Sequence, residues 1–429
     1  MTAPLNRKMY FLTDPIEDRA KDWLDYKINY QATFAAQLMY PMVDTYEVMP
    51  WPDRIYQGLY RIAGTDQKER IPRSYSTQMQ TMVNTLNDIR TSDKKITGTH
   101  GIGVLMANSL MFQRFPNHNG YDDPQFSSFY GQTLPLLKRG IPVELVHMEN
   151  TPFKETFKGL HILVMSYSNM KPMEPEYHNY LADWVKKGGV LIYCGEDVDP
   201  YQTVLEWWNT EGNEYKAPSE HLFEQMNLSR NPGEGTYHYG KGTVIVMRED
   251  PKHFVLKAGN DQKYFEAIAS AYRKKLGKAI ETKNNFIVER GPYTIAAVMD
   301  ESVSEEPLTL SGLYIDLFDK DLPVLTSKQI QPGEQGYLYD LNKVSGKVKA
   351  KVLCGASRIY DEKVGKRSYS FVAKSPINTT NVSRVLLPCK PEKVQVNGKE
   401  EQPEWDESSK TLLLSFENDP AGVNVSIVW

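Results

Sequence analysis

Cysteine is scarce: Cys194, Cys354 and Cys389 are the only three in 429 residues. Three scattered thiols make neither a disulfide framework nor a zinc site, so no metal and no other cofactor is expected. Long apolar runs are lacking too. None approaches the roughly 20 residues that span a bilayer, which argues against a membrane partner. Charge of one sign is also missing. Fifty basic residues face 54 acidic ones for a net charge of −4, so bulk charge draws in no nucleic acid. After Met1, the stretch Thr2-Ala3-Pro4-Leu5-Asn6-Arg7-Lys8 lacks the apolar core of a secretory signal. The expected compartment is left open between cytoplasm and periplasm. What the sequence has in quantity is aromatic residues: 26 Tyr, 15 Phe and 7 Trp. Such side chains suit sugar-facing clefts and large cores alike.

At about 150 residues per domain the length corresponds to about three domains. The pattern changes accordingly along the chain, and the expected class is multidomain α/β plus all-β. In the middle region, 98–277, four short apolar runs stand out: Ile102–Met106, Pro142–Val146, Leu160–Met165 and Val190–Cys194. Continuous runs of that kind are what a sheet buried on both faces requires. Between the last two, Tyr177, Tyr180, Leu181, Trp184 and Val185 fall on one helical stripe. Phe265, Ile268, Ala269, Tyr272 and Leu276 form another, while Pro135 inside the 126–139 pattern marks a helix start or a kink. Strands alternating with helices predict a doubly wound, flavodoxin-like α/β domain.

From about residue 284 to Trp429 the helix signal stops. Short β-branched runs take over, including Tyr293–Val298, Gly312–Phe318, Ser368–Val372 and Leu412–Phe416. Lys393–Val396 runs into Asn397-Gly398, the strongest short hairpin signal. A C-terminal β-sandwich is expected over 284–429, as one module or as two split near 365. The segment 1–95 is different. Lys8–Thr13 reads as a strand that enters Asp14-Pro15-Ile16-Glu17-Asp18. A helix carrying Trp23, Tyr26, Tyr30, Phe34 and Leu38 follows, then a second strand, Val43–Pro52, which contains Glu47. A helix from about Tyr75 to Ile89 closes the segment.

These two acidic-tipped strands resemble the last two βα units of a (β/α)8-barrel glycoside hydrolase. The residues that carry the resemblance are Phe11–Asp18 and Tyr46–Ile55. The α/β region is similar to the trimerisation domain of family forty-two β-galactosidases, a relative of class I glutamine amidotransferases. The β-rich tail completes the same order of parts. The resemblance implies a bacterial enzyme of carbohydrate degradation, a carbohydrate substrate and a homo-oligomer formed through the α/β domain. Six of the eight barrel strands are absent from this chain. It therefore reads as a fragment of a longer enzyme, expected to be inactive alone.

In such a barrel the catalytic groups sit at the carboxyl ends of strands, and glycoside hydrolysis needs two carboxyl groups. By position in the family, Asp14, Glu17 and Asp18 are the nucleophile region, and Glu47 is an equal candidate. The plainer alternative is that Asp14-Pro15 starts a turn, Glu17 and Asp18 complement a helix N-terminus, and Glu47 pairs with Arg54. Trp51, held between Pro50 and Pro52, is a candidate sugar platform. Arg54 is a candidate partner for a substrate-site carboxylate. Cys194 has the topological position of the amidotransferase nucleophile, but its neighbours Ile192 and Glu196 stand where small glycines belong. No His-x-Glu pair follows it, since His221 precedes Leu222 and Phe223. An inert buried thiol is expected. The rival to the hydrolase reading is a non-catalytic carbohydrate-associated or oligomerisation scaffold.

Overall fold

The computed structural model describes residues 7–16, 21–48, 52–110, 127–344, 346 and 349–429. Two compact units divide the chain: one comprises 97–284 with short outlying pieces, the other 9–96 with 285–301 and 305–429.

The second unit begins with β1 (Phe11–Thr13), α1 (Trp23–Leu38), β2 (Tyr46–Val48) and α2 (Pro52–Tyr56). β3 (Leu59–Arg61), β4 (Lys68–Arg70) and α3 (Arg73–Thr85) follow. β1 and β2 pair in parallel, Phe11 against Tyr46 and Thr13 against Val48. Asp22 caps α1 by accepting the Leu24 and Asp25 N–H groups. The stripe of Tyr26, Tyr30, Phe34 and Leu38 is buried as its spacing predicts. The partner of that stripe is an antiparallel sheet from the carboxyl half of the chain. Phe34 meets the Tyr337 ring edge-on, 5.4 Å between centroids.

The first unit contains β5 (Ile102–Met106), α4 (Ser127–Leu137), β6 (Glu144–His147), β7 (Ile162–Met165), α5 (Glu176–Lys186) and β8 (Val190–Cys194). Then come α6 (Pro218–Gln225), β9 (Gly235–Tyr239), β10 (Gly242–Met247), α7 (His253–Leu256) and α8 (Gln262–Leu276). The sheet order is β6-β5-β7-β8-β10-β9. Five strands are parallel and only β9, at one edge, runs antiparallel. Alternate residues of the central strands feed two cores. Leu163, Leu191 and Tyr193 pack with Leu181 of α5 and Phe223 of α6, whereas Ile162, Val164 and Ile192 pack with Leu136 of α4 and Ile268 of α8. Helices therefore cover both faces, as the uninterrupted apolar strands require. Pro135 lies inside α4 without ending it. Gly131 in the same helix has no freedom to change, because a Cβ there would stand 1.8 Å from the Pro251 carbonyl oxygen.

The second unit resumes with β11 (Asn285–Arg290), β12 (Tyr293–Val298), β13 (Leu308–Asp316), β14 (Val324–Ile330) and β15 (Gln335–Asp340), one antiparallel sheet in the order β11-β12-β15-β13-β14. Next are β16 (Lys351–Gly355), β17 (Arg358–Val364), β18 (Ser368–Lys374), β19 (Thr380–Leu386) and β20 (Lys393–Val396). β21 (Lys399–Glu401), β22 (Glu404–Asp406), β23 (Thr411–Glu417) and β24 (Val423–Val428) end the chain. They form two sheets, β16-β19-β23-β22 and β17-β18-β24-β20-β21, around Tyr369, Phe371, Leu412, Val425 and Ile427. The position near 365 is the turn joining the paired strands β17 and β18. Asn397 and Gly398 both have positive φ, 49° and 79°, as the hairpin signal anticipates. Arg290 at the end of β11 is buried and joins the two parts of this unit. It donates to the Tyr46 hydroxyl (2.6 Å) and to the carbonyls of Leu38 (3.3 Å), Val43 (2.6 Å) and Arg90 (2.8 Å).

Candidate functional site

Asp14 is the first residue beyond β1, at its carboxyl end. One carboxylate oxygen accepts the Ile16 N–H (2.8 Å), and the other stands 3.8 Å from Arg54 Nη1. Arg54 comes from α2, after β2, and also donates to the Ile16 carbonyl. Its own carbonyl accepts the Tyr60 hydroxyl at 2.7 Å. The guanidinium thus ties the turn after β1 to the helix after β2. Both side chains are about a quarter exposed, 25% and 23%, so the ion pair itself contributes about 0–1 kcal/mol.

Buried phenols lie behind this pair. Burial pushes Tyr30 up to about 12, with the neighbouring Thr13 hydroxyl opposing the rise and the charge of Asp14 adding to it. Burial and then the charge of Tyr30 raise Tyr56 and Tyr75 as well. All three stay protonated donors at neutral pH. One carboxyl group, one guanidinium and several neutral hydroxyl donors are what this place offers chemically.

The other sequence candidates are not gathered here. Glu47 sits mid-strand in β2, opposite Leu12, on the face turned away from the core that holds Tyr46 and Val48. It is exposed and makes no side-chain hydrogen bond or ion pair to a described residue. The alternative pairing of Glu47 with Arg54 is therefore corrected: Arg54 takes Asp14. Glu17, Asp18 and Trp51 lie outside the described residues.

In the first unit the carboxyl edge of the sheet carries a dense polar set. Cys194 is fully buried, and burial together with the charges of Glu249 and Asp250 pushes its thiol far up. A protonated thiol with no access is no nucleophile. The carboxylates around it are saturated. Asp199 binds Lys171 Nζ (2.7 Å) and the Gln202 amide (3.0 Å). Asp197 accepts from Arg248 (2.9 Å), Ser219 (2.7 Å) and Tyr193, and Asp250 accepts from Ser168 and the Glu196 N–H (3.1 Å). These groups are struts between loops.

Two histidine features were not recognised in the sequence. His178 of α5 stands between the Tyr167 hydroxyl (2.6 Å) and His221 of α6 (Nδ1 to Nδ1, 2.8 Å). One Nδ1 must donate and the other accept, so the two rings cannot both be charged. Burial, then the charge of His221, sets His178 well below its ordinary value. The second feature is a His-x-Glu pair after all, but upstream of Cys194. His147 Nδ1 is 2.5 Å from Glu149, whose other oxygen accepts the Asn108 N–H at 2.9 Å. Burial opposes ionisation of Glu149, yet His147 and the backbone donors outweigh it and hold the carboxyl low. The triplet was there to be read; only its place before the cysteine hid it. Among the described residues no group of three or more His, Cys, Asp or Glu side chains is arranged to hold a metal, and no helix is long and apolar enough to cross a membrane.

No protein-family model matches the sequence, and neither does any curated protein. Among solved structures, its neighbours include glycoside hydrolases. The cold-adapted β-galactosidase from Rahnella sp. R3 is 11% identical with a TM-score of 0.40, over 77% of this chain and 60% of that one. A catalytic mutant of Gan42B, a GH42 β-galactosidase from G. stearothermophilus, is 10% identical with a TM-score of 0.38, over 78% and 59%. A rhamnosidase from Novosphingobium sp. PP1Y is 10% identical with a TM-score of 0.34, over 94% and 41%. The chain spans less than two thirds of the length of each.

Proposed function

We propose that this chain is the carboxyl-terminal part of a glycoside hydrolase, which hydrolyses O-glycosidic bonds by a carboxylate pair when its barrel is complete. In this reading β1 and β2 with their helices are the end of the barrel, the 98–277 region is an amidotransferase-like oligomerisation domain, and the tail is a β-sandwich. The observation that carries it is the parallel β1–β2 pair with Asp14 at the carboxyl end of β1, clamped by Arg54 from the next βα unit. Carboxyl ends of parallel barrel strands are where catalytic groups gather. A carboxylate at that place is the group that attacks an anomeric carbon or activates water, and Arg54 stands beside it. The partner acid would come from a strand outside this chain.

A second reading, a non-catalytic carbohydrate-associated scaffold, is favoured by one observation: both oxygens of Asp14 are already engaged, one by a turn and one by Arg54. Turnover of a nitrophenyl glycoside panel separates the two. This chain alone is expected to be inactive, and a version extended upstream to eight strands is expected to be active. In the extended version at least one of Asp14→Asn, Glu17→Gln, Asp18→Asn and Glu47→Gln is expected to lower turnover by about 10²–10⁴-fold. Equal turnover with and without the extension, or full activity in all four variants, overturns the hydrolase reading.

A further inference from the structure

The second unit holds a polar cleft of about 320 Å³, which lies at the lower end of the roughly 300–1,000 Å³ of small-molecule sites. Its walls are the edge strands of two different sheets, β16 and β17, and the carboxyl end of α3. The turn between the strands is fixed by Ser357, whose hydroxyl bonds the Asn381 (2.9 Å) and Asn418 (2.6 Å) side chains. Asn84, Asn87 and Asp88 line it together with Arg358, Tyr360 and Glu362. Neither Asp88 nor Arg358 has a side-chain hydrogen bond or ion pair to a described residue.

Three ligand classes can be weighed against this lining. An anion is disfavoured, because Asp88 and Glu362 offset Arg358 and Lys351. A peptide strand is disfavoured, because the free edge of β16 is already occupied: the Val352 N–H donates to the Tyr369 hydroxyl (3.2 Å) and the Gly355 carbonyl accepts from Asn84 (3.0 Å). A ring of hydroxyl groups fits. Each hydroxyl both donates and accepts, and the cleft offers carboxylates, amides and a guanidinium side by side. Tyr360, 43% exposed and with Lys374 Nζ 5.4 Å from its ring centroid, adds an aromatic ring whose edge and remaining surface sugar C–H groups can meet.

We propose that this cleft binds a neutral mono- or disaccharide. The proposal rests on the cleft alone and stands or falls apart from the hydrolase reading. Isothermal titration of the full chain with galactose, glucose, rhamnose and lactose tests it. Millimolar or tighter binding of at least one is expected, weakened about tenfold or more in each of Asp88→Ala, Arg358→Ala and Tyr360→Ala. All three positions are exposed, so circular dichroism should report unchanged folding. Asp14→Asn should leave the binding intact. Saccharide binding without turnover in any version sinks the hydrolase reading and supports this one. No binding by any of the four sugars, binding that all three variants preserve, or preferential binding of inorganic phosphate overturns it.

Discussion

The three cysteines show how burial decides chemistry one residue at a time. Cys194 and Cys354 are buried, and burial pushes both thiols up, Cys354 to about 12. Cys389 is exposed. Since the thiolate is the reacting form, native protein treated with iodoacetamide at neutral pH should take up one label, at Cys389, and three after unfolding. Rapid native labelling of Cys194 would show that its site opens, and the amidotransferase-like alternative would return. The inertness of Cys194 was legible from Ile192 and Glu196, because bulky neighbours forbid the close backbone approach a nucleophile turn needs. The Asp14–Arg54 pair was legible only as two candidates. Forty residues separate them, and composition cannot choose between Asp14 and Glu47 as the partner of one arginine.

Among elements, the sequence signals were strongest where burial is symmetrical. β5, β7 and β8 are apolar throughout because both their faces are covered. β9 and β17 escaped because edge strands carry no such signature; β17 is exposed at nearly every position. The stripe on α1 showed which face is buried but not against what, since periodicity is silent on the partner. The structure supplies the partner and, with it, Arg290. One guanidinium donates to three carbonyls and a phenol drawn from residues 38–90, and of these the Val43 carbonyl also accepts the Tyr46 hydroxyl (2.8 Å). Arg290→Ala should therefore destabilise the second unit by about 1–3 kcal/mol, read as a lower urea midpoint. Arg290→Lys should recover only part of this, because a point-like ammonium cannot replace the planar fork. A loss under about 1 kcal/mol in the alanine variant would mean that water replaces the guanidinium and that the joint is not held by it.

At the scale of the whole molecule, each apolar core lies within one of the two units: the two faces of the parallel sheet in the first, and the α1–α3 layer and the sandwich in the second. Separate cores predict separate unfolding events, and the titrating groups give a way to address them one at a time. His178 belongs to the first unit and is held neutral between Tyr167 and His221. Its folded pKa lies below the ordinary 6.5, so between the two values the unfolded chain binds more protons than the folded one. Stability from this group is complete above about pH 6.5 and is lost as the pH falls beneath it. The slope is at most about 1.4 kcal/mol per pH unit, or about 2–4 °C in Tm for each kcal/mol in a unit of this size. Asp197, in the same unit, works against this. Burial raises its carboxyl above 3.8, so it takes up a proton more readily folded than unfolded. A variant must therefore isolate the histidine. Scanning calorimetry from about pH 7 to about pH 5 should show two transitions, of which the one belonging to the first unit falls with acid. His178→Gln should flatten that fall, while Arg290→Ala should lower only the other transition. A single transition that both variants move together would mean that the two units unfold as one cooperative body despite their separate cores.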